Sequence, residues 1–360
     1  MFSKSKIAWS SLLVLVVLIK IFSLFPGAVE KYYSTGLYPV IARLQRLLFG
    51  WIPISVGDLF YAATVIWLLV NIFRVCKRII QKQAGRQYLL SVLRRLTFTL
   101  LAVYVVFNLC WGLNYDRAGI AAQLQLKVQP YDNKELARLL QLTVTRLNSL
   151  DSLARLHREE LAVNRRLLDG AVQSYRNLSA RDSRFAYPSP SVKASLYSTL
   201  GNYLGFSGYY NPFSGEAQVN VRMPSFTRPY TTCHEIGHSL GYAKENEANF
   251  AGYLAAHDSD DPVFLYSVYF DMYYYAAREL YLRDSTLVVP LRQSLRPAVR
   301  KDFRELLQFY RKFENPFEPV VRHLYGGYLR ANRQPQGMKT YNEVVAWLIA
   351  YGYKYGWDGV

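Results

Sequence analysis

Three long apolar stretches lie within the first 115 residues of this 360-residue chain. Residues 7–25 are apolar but for Lys20, and residues 56–75 and 96–113 are similar. A helix rises about 1.5 Å per residue, so each stretch comes close to spanning a hydrocarbon core of roughly 30 Å. Lys20 falls near the end of its stretch, where its stem can snorkel to the surface. The first stretch is long for a cleaved signal peptide and no A-x-A-like site follows it, so an uncleaved span is expected. Residues 38–54, where Arg43 and Arg46 punctuate an apolar pattern, read as an amphipathic segment lying along the membrane interface.

The net charge of +17, from 43 Lys and Arg against 26 Asp and Glu, raises the question of a nucleic-acid partner. Its distribution points elsewhere. Arg74, Lys77, Arg78, Lys82, Arg86, Arg94 and Arg95 form a run without acidic residues between the second and third apolar stretches. Lys4 and Lys6 precede the first. Basic residues at these places mark the cytoplasmic side of a membrane protein. No nucleic-acid partner is expected. The chain is expected to anchor in the lipid bilayer of a bacterial cytoplasmic membrane through residues 1–115, with residues 116–360 forming an extracytoplasmic domain. Cys76, Cys110 and Cys233 are too few and too scattered to form a disulfide framework.

Beyond Tyr115 the pattern becomes that of a soluble, mainly helical domain. Leucines recur at helical spacing over 133–147, and a second amphipathic stretch runs over 152–178. Residues 185–190 form a proline-containing break. Residues 205–221, with the turn-rich Asn211-Pro212-Phe213-Ser214-Gly215, predict two short strands in a hairpin. Helices are expected again over 263–282, 297–313, 320–330 and 341–353. The fold class expected is mainly α: transmembrane helices, then an α+β domain with a small β-hairpin.

Chemistry concentrates at His234-Glu235-Ile236-Gly237-His238. Positions i and i+4 of a helix share a face, so the two imidazoles can meet one metal ion, Zn2+ by the usual chemistry of this pattern. Glu235 then lies beside the metal as general base, taking a proton from zinc-activated water and returning it to a leaving amine. Pro229 suits a first helical turn and Gly241 a helix stop. Two glutamates compete for the third ligand. If a second helix begins near Lys244, Glu245 has a polar residue, Asn249, four positions on, able to orient a metal-bound imidazole. Glu247 has Ala251 there, and is left as the alternative ligand or as a helix-capping acid. Lys244 stands where a metzincin would place its third histidine. Cys233 reads as a small buried residue, and no residue stands out as an oxyanion stabiliser among His257, His323 and the many tyrosines.

The run from Glu245 to Ala256, Glu-Asn-Glu-Ala-Asn followed by small and apolar residues, resembles the glutamate helix of the gluzincin metallopeptidases, especially the membrane-bound HtpX-like group. That resemblance implies Glu245 as ligand and Asn249 in place of the group's aspartate. A departure is the short connection from His238 to Glu245, where the group carries a long insertion. A fuller pattern is similar to a bacterial domain-of-unknown-function family of three-span membrane proteins. It comprises Trp111-Gly112-Leu113-Asn114-Tyr115, Gly208 to Phe213, Gly215-Glu216-Ala217 and the block from His234 to Phe250. In zincins generally a strand edge beside the motif helix pairs with extended substrate, and residues 215–221 are the candidate here, with a purely structural hairpin as the alternative. The function expected is a membrane-anchored zinc metallopeptidase acting on a peptide or protein substrate. The alternative is a non-catalytic, metal-stabilised membrane sensor or scaffold. Glu235 argues against that alternative, because a structural site needs ligands but no base.

Overall fold

The computed structural model describes residues 4–334 and 343–360. Its membrane part begins with α1 (Lys4–Phe22), a single turn α2 (Pro26–Ala28), a π-helical segment Val29–Leu37 and α3 (Tyr38–Phe49). Two helices of 25 residues follow, α4 (Val56–Ile80) and α5 (Arg86–Cys110). Among the described residues, α1, α4 and α5 are the three helices long and apolar enough to cross a membrane. The basic run is mostly helical, because Arg and Lys are good helix formers and extend both spans past their apolar limits. Only residues 81–85 are left as a connection. α1 packs along α5, with Trp9 edge-on to Phe98 at 5.3 Å between ring centroids and Lys20 over the ring of Tyr104. α4 stands apart: no residue of its apolar window is buried. α3 is amphipathic as expected. Its Tyr38, Ala42, Gln45 and Arg46 are buried against the following domain, and Leu44, Leu47 and Leu48 are exposed.

The domain contains α6 (Ile120–Gln123), α7 (Asn133–His157) and α8 (Asn164–Arg181), then β1 (Val192–Ala194), α9 (Ser198–Leu204), β2 (Gly208–Asn211) and β3 (Glu216–Val219). After these come α10 (Arg228–Ser239), α11 (Glu245–His257), α12 (Pro262–Arg283), α13 (Ser285–Gln293), α14 (Pro297–Phe313), α15 (Glu318–Ala331) and α16 (Glu343–Tyr355). A capping box of Asp132 and Glu135 starts α7. α7 runs ten residues past the expected end at 147, and the stretch expected as one helix over 152–178 is broken at 158–163. The break turns Arg158 inward, where its guanidinium meets Asp302 at 2.7 Å and covers the ring of Phe226. A tertiary contact of this kind leaves no local signal. Residues 341 and 342 of the last expected helix lie outside the described residues. Buried aromatics, among them Tyr175, Phe226, Phe250, Tyr266 and Phe270, fill the space between α7, α8, α10, α11 and α12.

The expected hairpin is present: β2 pairs antiparallel with β3, Tyr210 opposite Ala217. β1, three residues long and too short for alternation to show, was missed; it pairs parallel with the other side of β3. The order is therefore β1-β3-β2, and β3 is central. This corrects the expectation that residues 215–221 offer a free edge to substrate. β2 is the edge strand beside the motif helix.

The sheet also roots α4. The buried carboxylate of Glu216 is paired with Lys193 and accepts bonds from the amides of Val56 at 3.2 Å and Gly57 at 2.5 Å. A carboxylate there meets the positive end of the helix dipole. Asp58, one residue on, accepts from the Leu196 amide at 2.7 Å and from the Tyr209 hydroxyl. Glu216→Gln leaves the buried Lys193 with the Phe49 and Ile54 carbonyls but no counter-charge, and we expect it to destabilise the protein by about 3–5 kcal/mol. Denaturant titration of the detergent-solubilised protein reads this directly, and adding Lys193→Met should restore part of the loss.

Candidate metal centre

α10 begins with Pro229 in its first turn, and every residue from Pro229 to Ser239 is buried. Its 3.6-residue repeat brings His234 and His238 onto one face, with ring centroids 4.7 Å apart and planes nearly perpendicular. The helix ends where Gly241 adopts φ +86°, and a side chain there would also press within 2.9 Å of the Tyr38 ring. This sharp reversal starts α11 at Glu245, so the short connection suffices to return a carboxylate to the histidines. Glu245 Oε2 lies 3.4 Å from His234 Nε2 and 3.7 Å from His238 Nε2. Ligand atoms about 2.0–2.1 Å from one tetrahedral zinc stand roughly 3.4 Å from each other. The two distances from Glu245 to the imidazoles are close to that spacing. Glu235 shares the cluster: one donor atom from each of His234, Glu235 and His238 fall within 4.8 Å of one another.

Neighbouring groups set the orientation of the ligands. His238 Nδ1–H donates to the Tyr242 carbonyl at 2.8 Å, which leaves the Nε2 lone pair facing Glu245. The Trp111 indole donates to the His238 carbonyl at 2.9 Å, and the Tyr38 hydroxyl to the Ser239 carbonyl at 2.8 Å. Asn249 lies near His234, but no hydrogen bond joins them: His234 Nδ1 and Asn249 Nδ2 are both buried without a partner. The Tyr230 hydroxyl holds Asn249 Oδ1 at 3.2 Å.

Burial holds the His234 imidazole below its ordinary pKa, which favours the neutral, ligating form. Burial also disfavours charge on His238, but the adjoining Glu245 carboxylate outweighs it and raises the group. Glu245 is itself pushed up by burial, and the two imidazoles overcome this and hold its carboxyl well below the usual range. Glu235 differs. Burial pushes it up to about 8, and its Oε2 has no hydrogen-bonding partner. Its Oε1 lies under Gly208 of β2, where an added Cβ would come within 2.5 Å. A carboxyl group poised near neutrality suits proton transfer in both directions.

The structure thus brings together His234, Glu235, His238 and Glu245, with Asn249 beside them. Glu247 is turned away. It is buried near Lys244, 3.4 Å from its ammonium, and within the field of Arg117. Cys233 is fully buried, as expected. His257 sits at the far end of α11 against Asp258 and between Tyr253 and Tyr269. His323 is exposed on α15. Three contributors escaped sequence reasoning. Tyr325 donates to Glu245 Oε1 at 2.5 Å, Gln334 accepts from the Glu245 amide at 3.0 Å, and Gly208 makes room for Glu235. The two polar partners lie some 80 residues or more downstream of Glu245, and nothing local marks one tyrosine among 30.

Over residues 33–349 the chain matches a family described as a protein of unknown function (DUF3810), and it belongs to that family. No curated protein and no solved structure matches it.

Proposed function

We propose that this member of the DUF3810 family is a membrane-anchored zinc metallopeptidase whose catalytic domain lies outside the cytoplasmic membrane of a bacterium. The observation that carries the reading is the convergence of His234 Nε2, His238 Nε2 and Glu245 Oε2 at 3.4 and 3.7 Å, with the unpartnered Glu235 Oε2 in the same buried cluster. Zinc, when bound there, supplies the Lewis acidity that acidifies a water and polarises a peptide carbonyl. Glu235 receives the water's proton at Oε2 and passes it to the leaving amine. Glu245 and the two histidines hold the metal, while Tyr242 and Tyr325 fix the ligands' directions. A motif helix, a tight reversal and a glutamate helix packed beside a small sheet support a zincin-like, gluzincin-type domain.

The test uses the full chain in lipid nanodiscs, loaded with zinc and offered a library of soluble and membrane-tethered peptides. New amino termini, abolished by a zinc chelator and restored by zinc, are expected. A zinc-loaded protein that generates none would favour the non-catalytic sensor or scaffold. Topology has its own expected result, from Lys4, Lys6 and the basic residues at the ends of α4 and α5. A reporter fused after Tyr115 should be extracytoplasmic and one fused near Gln83 cytoplasmic. The reverse pair would put the centre inside the cell.

A further inference from the structure

We infer that α15 is an interfacial membrane helix that covers the candidate metal centre, with one face closing the centre and the opposite face in contact with lipid. The closing function rests on the metal reading above; the lipid contact does not.

The outer face is apolar. Phe317, Val320 and Leu324 recur at spacings of three and four, which at about 100° per residue confines them to one stripe. All three are exposed, Phe317 by 72% and Leu324 by 67%. A stripe of this size on a soluble domain calls for a partner. The far side of the helix turns inward, with Gly326 and Leu329 buried and Tyr325 reaching Glu245.

The position of α15 identifies the partner as the bilayer. The Tyr328 hydroxyl is 3.1 Å from that of Tyr115, in the turn that directly follows α5. Arg333, two residues past α15, donates to the carbonyl of Ser23, the residue after α1, and pairs with Asp116 at 2.7 Å. The helix therefore lies beside the ends of α1 and α5 that meet the domain, where its exposed stripe is level with the surface that the spans present to lipid. The metal centre is at the same level. Trp111, one residue beyond α5, bonds the His238 carbonyl, and Gly57 of α4 abuts Asn211 of β2. α1 packs on α5, and no residue of the apolar window of α4 is buried.

The experiment places a nitroxide at Leu324→Cys in the full chain, with Cys76 and Cys110 changed to Ala and the buried Cys233 kept. The protein is reconstituted in vesicles of phosphatidylethanolamine and phosphatidylglycerol, and collisions with oxygen and with a water-soluble nickel chelate are compared. Leu68→Cys in α4 is the lipid reference, and Leu156→Cys, exposed near the end of α7, is the aqueous one. Leu324 should follow Leu68, with an oxygen-to-nickel ratio several-fold above that of Leu156. A ratio matching Leu156 would overturn the lipid contact, and Val320→Cys repeats the test should the first variant fold poorly. For the closing role, zinc release to a chelator is timed. Tyr325→Ala should lose zinc at least tenfold faster than Tyr325→Phe, which keeps the covering ring and gives up only the hydrogen bond to Glu245. Equal rates for the two variants would refute the cover. A wild-type chain that binds no zinc would sink the metal reading, while the collision data would still decide the lipid contact.

Discussion

Glu235→Gln is expected to abolish peptide cleavage while leaving zinc in place. The substitution keeps the volume of a side chain that is almost wholly buried and wedged under Gly208, so the fold has no reason to change. It removes the only group in the cluster that has a free oxygen and a pKa near neutrality. Losing a positioned general base costs about 10²–10⁴-fold in rate. Cleavage and zinc content measured on the same preparation separate the outcomes. Retained cleavage would remove Glu235 from the mechanism, and lost zinc would make it a ligand.

The second large effect concerns the two glutamates of α11. Changing a group that merely orients a ligand lowers metal affinity about 10–100-fold, so removing the ligand's charge in Glu245→Gln should cost more than that. Glu247 projects roughly 200° away on a helix turning about 100° per residue, toward Lys244 and the field of Arg117. Glu247→Gln should therefore leave zinc affinity nearly unchanged. Competition with a calibrated zinc chelator gives both numbers. The reverse ranking would move the third ligand to Glu247 and break the likeness to gluzincins.

Much of the centre was legible because its spacing is local. Two histidines four apart, a glycine stop and a glutamate heading the next helix fix their geometry within 12 residues. The spans were legible for the same reason: an uninterrupted apolar run needs no tertiary knowledge. What escaped depends on pairing across distance. β1 is three residues long, and only its parallel partner makes it a strand, which is why β3 was mistaken for an edge. Tyr325 gains its role only because α15 folds back over Glu245, and the break after His157 follows Arg158 to Asp302. The inner face of α3 was likewise hidden, since Arg46 and Gln45 become buried only against residues of the later domain.

The measurement closest to the central claim is metal content with the coordination of the metal. Purified wild-type chain, equilibrated with zinc and freed of excess, should carry about one zinc per chain. Its X-ray absorption spectrum should show nitrogen and oxygen neighbours at about 2.0–2.1 Å, including two imidazoles. His234→Ala should carry almost none. A wild-type chain without zinc, or a His234→Ala variant with the same zinc content and spectrum, would contradict the assignment of this site as a metal centre.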